Sequence, residues 1–258
     1  MNKTALITGA SSGIGLELCK IFARNNYNIV MVSQNTERLE RAKEIVLKEN
    51  SKVKVINIAK NLSEPLSANE IFNYTEKSLI QIDVLVNNAG VQVYGDFHEA
   101  DIDDTLNMMY LNMLSLTKLT GLYVKGMVER GYGKILNLGS TGSFQPCPLN
   151  SVYCASKAFV LYFSEGIREE LKGTGVTVTT LCPGATNTNF AKRANIENIK
   201  LFRGKLLSSG DVAEIGYKAL MNNKSVVITG MNNKFMAWLV KFIPRNVVTK
   251  LGMNMMKK

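Results

Sequence analysis

The sequence of 258 residues predicts an α/β protein built as a doubly wound parallel sheet, with helices on both faces to make three layers. Short runs rich in β-branched residues alternate with longer stretches in which apolar residues recur at helical spacing. The short runs are apolar throughout, which is typical of parallel strands buried on both faces. Such a sheet has right-handed crossovers and binds its ligand at the carboxyl ends of its strands.

Each predicted strand is one of these short apolar runs. The second contains Ile-Val-Met-Val, and the sixth consists almost entirely of β-branched residues. From the amino terminus, the predicted strands cover residues 3–8, 28–33, 53–58, 82–87, 133–138, 176–181 and 225–229.

The predicted helices occupy the intervals between the strands. In the second, highly charged helix the apolar residues fall on one face; they are Leu39, Ala42, Ile45 and Val46. The last of these helices opens on Asp211, in the region where a side-chain oxygen caps a helix. The predicted helices cover residues 14–24, 36–49, 68–78, 102–130, 151–172 and 211–221.

Composition excludes several classes of protein. Hydrophobic residues make up 46% and charged residues 20%, a globular balance that argues against disorder. No apolar run reaches the ~18 residues of a spanning helix, and the apolar stretch near the amino terminus is too short for a signal peptide. The cysteines form no CxxC pair and His98 is the single histidine, so we expect free thiols, no metal site and a cytoplasmic location. The four cysteines are Cys19, Cys147, Cys154 and Cys182.

The formal net charge of +10 is confined to the last quarter of the chain. Residues 1–191 carry 18 basic and 18 acidic side chains, whereas residues 192–258 carry 13 basic and 3 acidic ones. A basic, methionine-rich end indicates an acidic ligand, a membrane surface or a partner, or else only a solvated lysine-rich surface. No nucleic-acid recognition motif accompanies it, so we expect no nucleic-acid partner.

A glycine-rich loop joins the first predicted strand to the first helix. It reads TGASSGIG over residues 8–15, with the glycines spaced as GxxxGxG. Glycine lets the backbone turn sharply and lets a pyrophosphate approach, and the helix amino terminus offers unpaired N–H groups. The candidate phosphate-binding residues are Gly9, Ser11, Ser12, Gly13, Ile14 and Gly15.

The segment after the second strand predicts which dinucleotide is bound. An acidic residue there would accept hydrogen bonds from the ribose hydroxyls of NAD, but the segment reads Val-Ser-Gln-Asn. The absence of an acid permits a 2′-phosphate, although no Arg or Lys stands at the strand end itself. The prediction therefore favours NADP(H) and does not exclude NAD(H). The candidate donors to the phosphate are Ser11, Ser12, Gln34, Asn35 and Arg38.

Tyr153 and Lys157 are four residues apart in a predicted helix, which places them on one face, roughly 6 Å apart along the axis. A phenol has a pKa near 10, and a neighbouring ammonium lowers that pKa by stabilising the phenolate. Ser140 follows a strand at the carboxyl edge of the sheet, where it can hydrogen-bond a substrate carbonyl. Taken alone, the Tyr–Lys pair is an ordinary feature of a helix surface. Its combination with the glycine loop and Ser140 indicates a catalytic site.

Together these motifs resemble the short-chain dehydrogenase/reductase family, and the resemblance covers residues 1 to about 230. It implies a Rossmann-type sheet of about seven strands, a nicotinamide cofactor and hydride transfer between a carbonyl and an alcohol. The carboxyl-terminal tail is similar to that of bacterial acyl or ketone reductases of the family. The matching residues, in the family's order, are TGASSGIG at 8–15, Asn87-Asn88-Ala89-Gly90, Asn112, Ser140, Tyr153, Lys157 and Pro183-Gly184.

The resemblance implies a catalytic set of four residues. Tyr153 would be the general acid for carbonyl reduction and the base for alcohol oxidation, and Lys157 would lower the pKa of Tyr153 and hold the nicotinamide ribose. Ser140 would orient and polarise the substrate oxygen. Asn112 would locally disrupt the long helix and hold a water in a proton relay with Lys157.

The resemblance also implies cofactor contacts beyond the glycine loop. A segment after the fourth strand would pack beside the adenosine ribose, and a segment after the sixth would border the nicotinamide, with Thr188 near its carboxamide. These residues are Asn88, Ala89 and Gly90 in the first segment and Pro183, Gly184, Thr186 and Thr188 in the second.

Two positions depart from the family's pattern. After the third strand the family usually has an Asp that touches adenine, but this chain has Asn61-Leu62, so Asn61 must act through its amide. Gln34 stands where the family has an Arg for NADP or an Asp for NAD. Both changes leave the catalytic set intact, and we expect NADPH to bind more tightly than NADH.

Residues 1–230 are predicted to form one catalytic domain, with a lid at 186–208 that closes over the substrate. The lid mixes apolar and basic residues, which suits an apolar substrate with an anionic end, such as an acyl carrier or coenzyme A thioester. Alternatively, its apolar residues only cover the nicotinamide and its basic residues are solvated. The lid residues in question are Phe190, Lys192, Arg193, Ile196, Ile199, Leu201, Phe202 and Arg203.

Residues 231–258 are predicted to form a basic amphipathic extension. Its aromatic and apolar residues recur near helical spacing and alternate with lysine and arginine. We expect the extension to dock on its own domain or on a sister subunit, and peripheral membrane contact is the alternative. The family resemblance implies a homodimer or homotetramer built through the helices at 102–130 and 151–172.

The predicted function is therefore that of an NADP(H)-preferring oxidoreductase that interconverts a carbonyl and an alcohol by hydride transfer. Its predicted substrate is an apolar small molecule, either an acyl-linked 3-oxoacyl compound or a ketone. One alternative is a dinucleotide-binding regulator without catalysis, against which the intact set of Asn112, Ser140, Tyr153 and Lys157 argues. The other is a membrane-peripheral reductase of lipid metabolism, which shares the chemistry and differs in the role of the extension.

Overall fold

Seven parallel strands form the main sheet of the computed structural model, which describes residues 2–188, 190, 194, 196–200 and 206–257. A further pair of two-residue strands, β7 and β8, lies outside this sheet. The strands are β1 (Thr4–Thr8), β2 (Asn28–Ser33), β3 (Val55–Ala59), β4 (Val84–Asn87), β5 (Gly133–Leu138), β6 (Val176–Cys182), β7 (Thr186–Asn187), β8 (Leu207–Ser208) and β9 (Val226–Ile228).

The order of the main sheet is β3-β2-β1-β4-β5-β6-β9, and every neighbouring pair is parallel. From β1 the chain builds outwards through β2 and β3, and then returns to place β4 on the other side of β1. Ala5 of β1 therefore stands opposite Ile29 on one side and Val84 on the other. The loops after β1 and β4 diverge, and open α/β sheets bind ligands at such a reversal.

Helices cover both faces of the sheet, which confirms the predicted three-layer Rossmann-type fold. They are α1 (Gly13–Arg24), α2 (Thr36–Glu49), α3 (Ser67–Lys77), α4 (Ile102–Met109), α5 (Leu116–Glu129), α6 (Ser151–Glu170), α7 (Ser209–Met221), α8 (Met231–Leu239) and α9 (Arg245–Met256). Short 3₁₀ turns occupy Thr141–Phe144 and Val240–Phe242, and a π-helical turn, Tyr110–Ser115, joins α4 to α5.

Strand β1 shows why the strands are apolar throughout. Ala5 and Ile7 pack into the core formed with α1, α2 and α7, whereas Leu6 packs into the core formed with α3 and α5. All three side chains are fully buried. Burial of a side chain such as Leu6 or Ile7 stabilises the fold by roughly 1.5–3 kcal/mol. Two-sided burial thus accounts for the continuous apolar runs in the sequence.

Some element boundaries differ from the sequence-based prediction. The strands predicted to start at 53 and 82 start two residues later. Helix α6 ends two residues before the predicted end. The following Gly173 and Gly175 both have φ of +81°, a left-handed conformation that a helix does not continue through.

The carboxyl-terminal part of the chain returns to the edge of the sheet where the loops diverge. Strands β7 and β8 pair in parallel and so join the two ends of the predicted lid. Ile196 and Ile199 of the lid are buried against Met256 of α9. Among the described helices, none is long and apolar enough to cross a membrane. The predicted lid residues Lys192, Arg193, Leu201, Phe202 and Arg203 lie outside the described residues.

Candidate active site

A cavity opens at the carboxyl ends of β1, β4, β5 and β6 and is bordered by α6 and α9. The predicted site residues that line it are Gly9, Ser12, Gly13, Ile14, Asn88, Ala89, Gly90, Ser140, Tyr153, Lys157, Pro183, Gly184, Thr186 and Thr188. The predicted residues that lie outside its wall are Ser11, Gly15, Gln34, Asn35, Arg38, Asn61, Leu62 and Asn112.

The path of the glycine loop after β1 excludes side chains. Gly9 and Gly13 have φ of +64° and +56°, in the left-handed region that favours glycine. A Cβ on Gly15 would lie 2.3 Å from the Gly9 carbonyl oxygen. Asn88 holds the loop against β4, since its Nδ2 donates to the Thr8 carbonyl oxygen at 2.9 Å. The loop is therefore a fixed backbone surface that a large anion can approach closely.

The amino end of α1 completes this surface. The Ser12 side chain at the N-cap makes no cap hydrogen bond to α1, and the first turn holds no acidic residue. Its unpaired N–H groups and the positive end of the helix dipole suit a negative charge. Because Gly13 and Ile14 also line the cavity, the loop and helix end fit the pyrophosphate of a nicotinamide dinucleotide.

The end of β2 lies beside the glycine loop, because the Oγ atoms of Ser11 and Ser33 are 2.9 Å apart. Gln34, Asn35 and Arg38 follow and are exposed. Asn35 Oδ1 accepts a hydrogen bond from the Arg38 backbone N–H at 2.8 Å and so caps α2. The amide NH₂ groups and the guanidinium at this edge are hydrogen-bond donors, as a 2′-phosphate requires.

Asn61 and Leu62 serve the loop in which they lie. Asn61 Oδ1 accepts from the Ser63 backbone N–H at 3.1 Å, and its Nδ2 donates to the Glu64 carboxylate at 3.4 Å. The Leu62 side chain is buried in the core with α3 and α5. The amide predicted to reach adenine is thus engaged with its own loop.

Helix α6 presents Tyr153 and Lys157 to the cavity, as their spacing predicts. The buried Lys157 Nζ donates to the Leu138 carbonyl oxygen at 2.8 Å and lies 5.7 Å from the centre of the Tyr153 ring. Ser140 shares a hydrogen bond with the Tyr153 side chain. Its Oγ also accepts from the Gly142 backbone N–H at 3.1 Å, which fixes the hydroxyl. Two hydroxyl donors and an ammonium therefore converge where a carbonyl oxygen can bind.

Burial determines the proton affinities of this pair. It raises the pKa of Tyr153 above the ordinary value of 10, against the opposing effect of the hydrogen bond with Ser140. It lowers the pKa of Lys157 to about 8. Desolvation of the phenolate therefore dominates the pKa of Tyr153, whose ring centre lies 5.7 Å from Lys157 Nζ. At neutral pH Tyr153 carries its proton, as an acid for carbonyl reduction must.

Asn112 lies in the π-helical turn between α4 and α5, which confirms the predicted disruption of the long helix. Its Nδ2 donates to the Val91 carbonyl oxygen at 3.0 Å and to Ser156 Oγ at 3.2 Å. A Cβ on Gly90 would lie 3.1 Å from Asn112 Oδ1 and 3.5 Å from Lys157 Nζ. Asn112 and Lys157 thus approach each other beside Gly90, the placement that a water-bridged relay requires.

The segment after β6 faces the glycine loop across the cavity. Thr186 Oγ1 donates to the Gly184 carbonyl oxygen at 2.9 Å, and the Gly184 N–H donates to Thr229 Oγ1 at 3.4 Å. The Thr188 methyl group lies 3.5 Å from the position that a Cβ on Gly13 would take. The segment and the loop therefore form opposite sides of one elongated site.

Sequence analysis missed the part of the wall that α9 supplies. Gly252, Met255 and Met256 line the cavity. A Cβ on Gly252 would lie 3.2 Å from the Pro146 carbonyl oxygen, so glycine lets α9 pack closely on the loop before α6. The buried residues Val248, Gly252 and Met256 recur every four positions. That period is visible in the sequence, but it does not say which surface the helix covers.

Two more residues of the wall carry polar atoms that have no hydrogen-bond partner among the described residues. They are Gln92, through Nε2, and Asn150, through Oδ1. Both atoms are buried, and an unpaired buried polar atom costs free energy unless a ligand satisfies it. No pattern in the sequence marked either residue, because only the folded chain shows which polar atoms remain unpaired.

The thiols and the histidine have no arrangement typical of a metal centre. Cys147 and Cys154 line the cavity as free, buried thiols. The single histidine, His98, is exposed beside Glu99. Within the described ranges, no group of three His, Cys, Asp or Glu residues could hold a metal ion.

Comparison with known proteins agrees with this geometry. Residues 3–198 match the model of the family described as short chain dehydrogenase. The ketoacyl reductase HetN of Nostoc sp. is 31% identical over 231 residues, which cover 89% of this chain and 79% of that protein. The very-long-chain 3-oxoacyl-CoA reductase of Macaca fascicularis is 28% identical over 100% of this chain and 80% of that protein. These similarities do not support a regulator without catalysis.

A solved structure shares both the fold and part of the sequence. The short-chain dehydrogenase from Sphingobium yanoikuyae in complex with NADPH has a TM-score of 0.81 and 27% sequence identity, covering 94% of this chain and 97% of that one. Fold, cavity and sequence similarity agree: the chain belongs to the short-chain dehydrogenase family and is an NAD(P)-dependent oxidoreductase that interconverts carbonyl and alcohol groups.

Proposed function

We propose that the protein is an NADP(H)-preferring reductase of apolar, acyl-linked carbonyl compounds, with 3-oxoacyl thioesters as its substrate class. The observation that carries this proposal is the composition of a single cavity. It joins the glycine loop to Ser140, Tyr153 and Lys157, and it continues to an apolar wall that includes Phe190 and Met256. Two of the relatives are named for the reduction of ketoacyl or 3-oxoacyl compounds.

Each catalytic residue is assigned one step in the reduction. Ser140 donates its hydroxyl proton in a hydrogen bond to the substrate carbonyl oxygen, which polarises the carbonyl and orients it. Tyr153 transfers its proton to that oxygen as the carbonyl carbon is reduced. Lys157, with Asn112 and a bridging water, returns a proton to Tyr153. When bound, the nicotinamide supplies the hydride.

The cofactor preference rests on the two ends of the site. The glycine loop and the amino end of α1 hold the pyrophosphate, and Gln34 and Arg38 donate to the 2′-phosphate of NADPH. Titration of the protein with both reduced dinucleotides tests this assignment. We expect NADPH to bind more tightly than NADH, and tighter binding of NADH would contradict the preference.

The unpaired Gln92 Nε2 supports a substrate with a second carbonyl group. A 3-oxoacyl thioester has two carbonyl oxygens; Ser140 and Tyr153 receive the one that is reduced, and Gln92 donates to the thioester oxygen. A simple ketone of the same chain length lacks the second acceptor and leaves Gln92 unpaired, at a cost of about 1–3 kcal/mol.

A matched pair of substrates tests this assignment. We expect kcat/KM with NADPH to be at least about tenfold higher for a 3-oxoacyl thioester than for the ketone of equal length. Gln92→Leu should abolish that ratio and leave turnover of the ketone unchanged. Equal use of both substrates by the native protein would contradict the substrate class, and the ratio surviving in Gln92→Leu would contradict the role of Gln92.

We also propose that the chain forms a homodimer or homotetramer through α4, α5 and α6. Ile102, Leu106, Leu114 and Tyr162 on this side of the molecule are exposed, as apolar residues of an interface are in a single chain. Light scattering should give a mass of two or four chains, and Leu106→Asp should lower it.

The buried free thiols support a reducing, cytoplasmic location.

A further inference from the structure

The carboxyl-terminal extension carries an apolar stripe that no described residue covers. Met231, Phe235, Trp238 and Phe242 follow one another at spacings of four, three and four residues, which places them on one side of a helix. Their exposed fractions lie between 55% and 84%. The Trp238 ring contacts the rings of Phe235 and Phe242, at centroid distances of 6.1 and 4.9 Å.

The opposite side of α8 is already occupied by the catalytic domain. Ala237 is buried, and Asn233 packs against the segment after β6, since a Cβ on Gly184 would lie 2.2 Å from Asn233 Nδ2. The helix therefore docks on its own domain, which is one of the two arrangements expected from the sequence; the other was docking on a sister subunit. This docking turns the aromatic stripe outwards and leaves it without a role in packing.

Helix α9 repeats the arrangement beside the cavity. Its buried residues lie on one side of the helix. Val247, Leu251 and Met255, at spacings of four residues, form an exposed apolar row on the adjacent side. Met255 also lines the cavity. The exposed row of α9 therefore reaches the mouth of the active site.

The charges around these rows all have one sign. Residues 231–258 contain six Lys and Arg residues and no Asp or Glu. Within the described part of the chain, none of the exposed cations of this segment pairs with a carboxylate. These exposed cations are Lys234, Lys241, Arg245, Lys250 and Lys257.

We propose that the outer face of residues 231–257 docks on an anionic lipid bilayer. Exposed aromatic and methionine side chains flanked by unpaired lysines match an apolar interior beneath a layer of negative headgroups. A second copy of the chain fits this surface poorly, because a twofold contact brings the same cations together across the interface.

Membrane docking would bring the cavity to a source of long acyl substrates, an inference that rests on the proposed function. A docked chain holds Met255, and with it the mouth of the cavity, against the membrane surface. A long apolar acyl chain can then pass from the bilayer into the cavity without exposing its methylene groups to water, which is unfavourable.

Trp238 is the single tryptophan of the chain, so its fluorescence reports this surface directly. The full-length protein is mixed with vesicles of pure phosphatidylcholine or of phosphatidylcholine with about 30% phosphatidylglycerol. We expect a blue shift of the emission and co-sedimentation with the anionic vesicles, both weakened by high salt. No shift with anionic vesicles, or equal salt-insensitive binding to both kinds, would overturn the proposal.

Two double variants, which retain Trp238, separate the charged and apolar contributions. Lys234→Glu/Lys241→Glu and Phe235→Ser/Phe242→Ser should each weaken partitioning onto anionic vesicles by about tenfold or more. The matched controls are Lys48→Glu/Lys52→Glu and Phe97→Ser, exposed positions outside the extension, which should bind like the native chain. Equal losses in the controls would contradict a localised surface.

The same variants distinguish the bilayer from a second copy and from failure of the proposed function. If the native chain dimerises through this face, light scattering will show a mass that falls in Phe235→Ser/Phe242→Ser, without vesicle binding, and the proposal is wrong. Vesicle binding is measured without substrate, so it is independent of the substrate class. Turnover of a short, water-soluble 3-oxoacyl substrate should be unchanged in all four variants.

Discussion

The first 191 residues and the carboxyl-terminal extension, residues 231–258, differ in their charge balance and in the exposure of their cationic and apolar side chains. The first region balances 18 basic with 18 acidic residues, and it buries Lys157, the cation to which we assign a catalytic role, in the cavity wall. The extension has cations only, and it exposes both these cations and its aromatic residues. This difference supports the proposal that the first region performs the chemistry and that the extension docks the chain where its substrate is found.

The two regions meet at the cavity, and their contributions there differ in kind. The first region supplies polar atoms held by hydrogen bonds, such as Lys157 Nζ on the Leu138 carbonyl oxygen. The extension supplies Gly252, Met255 and Met256, which act through shape and apolar surface. We therefore expect substitutions in the first region to change the rate of the reaction and substitutions in the extension to change the preference for long over short substrates.

The largest effect is expected from Tyr153→Phe, which removes the proton donor and keeps the ring. We expect kcat/KM for carbonyl reduction to fall by about 10³-fold or more, with the Kd for NADPH nearly unchanged. Tyr162→Phe, an exposed position on the same helix, is the matched control and should retain full activity. Residual activity of more than a few per cent in Tyr153→Phe would remove this residue from the proton transfer.

Gly15→Ala should disturb the glycine loop that binds the cofactor and leave the catalytic residues in place. The added Cβ would lie 2.3 Å from the Gly9 carbonyl oxygen, so the loop must move. We expect the Kd for NADPH to rise by at least about tenfold, together with a lower Tm. In the control, Gly210→Ala, the nearest atom to the new Cβ is Ser208 Oγ at 3.7 Å, and binding should be normal. An unchanged Kd in Gly15→Ala would contradict the assignment of the loop.

The two directions of the reaction should have opposite pH dependences. Burial lowers the pKa of Lys157 from 10.5 to about 8, so its proton is lost as the pH rises through 8. The rate of reduction should then fall by about tenfold per pH unit above this value. The raised pKa of Tyr153 keeps the phenol protonated, so alcohol oxidation, which needs a base, should accelerate as the pH rises. Parallel profiles in the two directions would contradict these roles.

The smallest effect is expected from Gly252→Val in the extension. Its Cβ would meet the Pro146 carbonyl oxygen at 3.2 Å and push α9 away from the loop before α6. We expect KM for a long-chain substrate to change by a few-fold, with kcat for a short one unchanged. Asn254→Val, an exposed position on the same helix, should behave like the native protein. A loss of kcat for the short substrate in Gly252→Val would break the division between the two regions.

Local patterns in the sequence were sufficient for the fold and for the common face of Tyr153 and Lys157. The alternation of apolar runs with helical periods predicts the sheet, because two-sided burial requires strands such as β1 to be apolar throughout. The spacing of Tyr153 and Lys157 predicts their common face, because one helical turn separates them. Asn112 is the exception, since the disruption of the long helix at this residue was inferred from family resemblance alone.

The order of the elements and the glycine loop followed from the sequence, because both depend on local patterns, and the catalytic set remains a proposal drawn from family resemblance. Only the tertiary structure decided that α9 returns to the cavity, where the Tyr94 hydroxyl donates to the Met256 carbonyl oxygen, 162 residues away. It also decided that burial raises the pKa of Tyr153, and that Gln92 Nε2 has no hydrogen-bond partner among the described residues. Desolvation and unpaired atoms depend on every neighbour in space, and spacing along the chain does not contain that information.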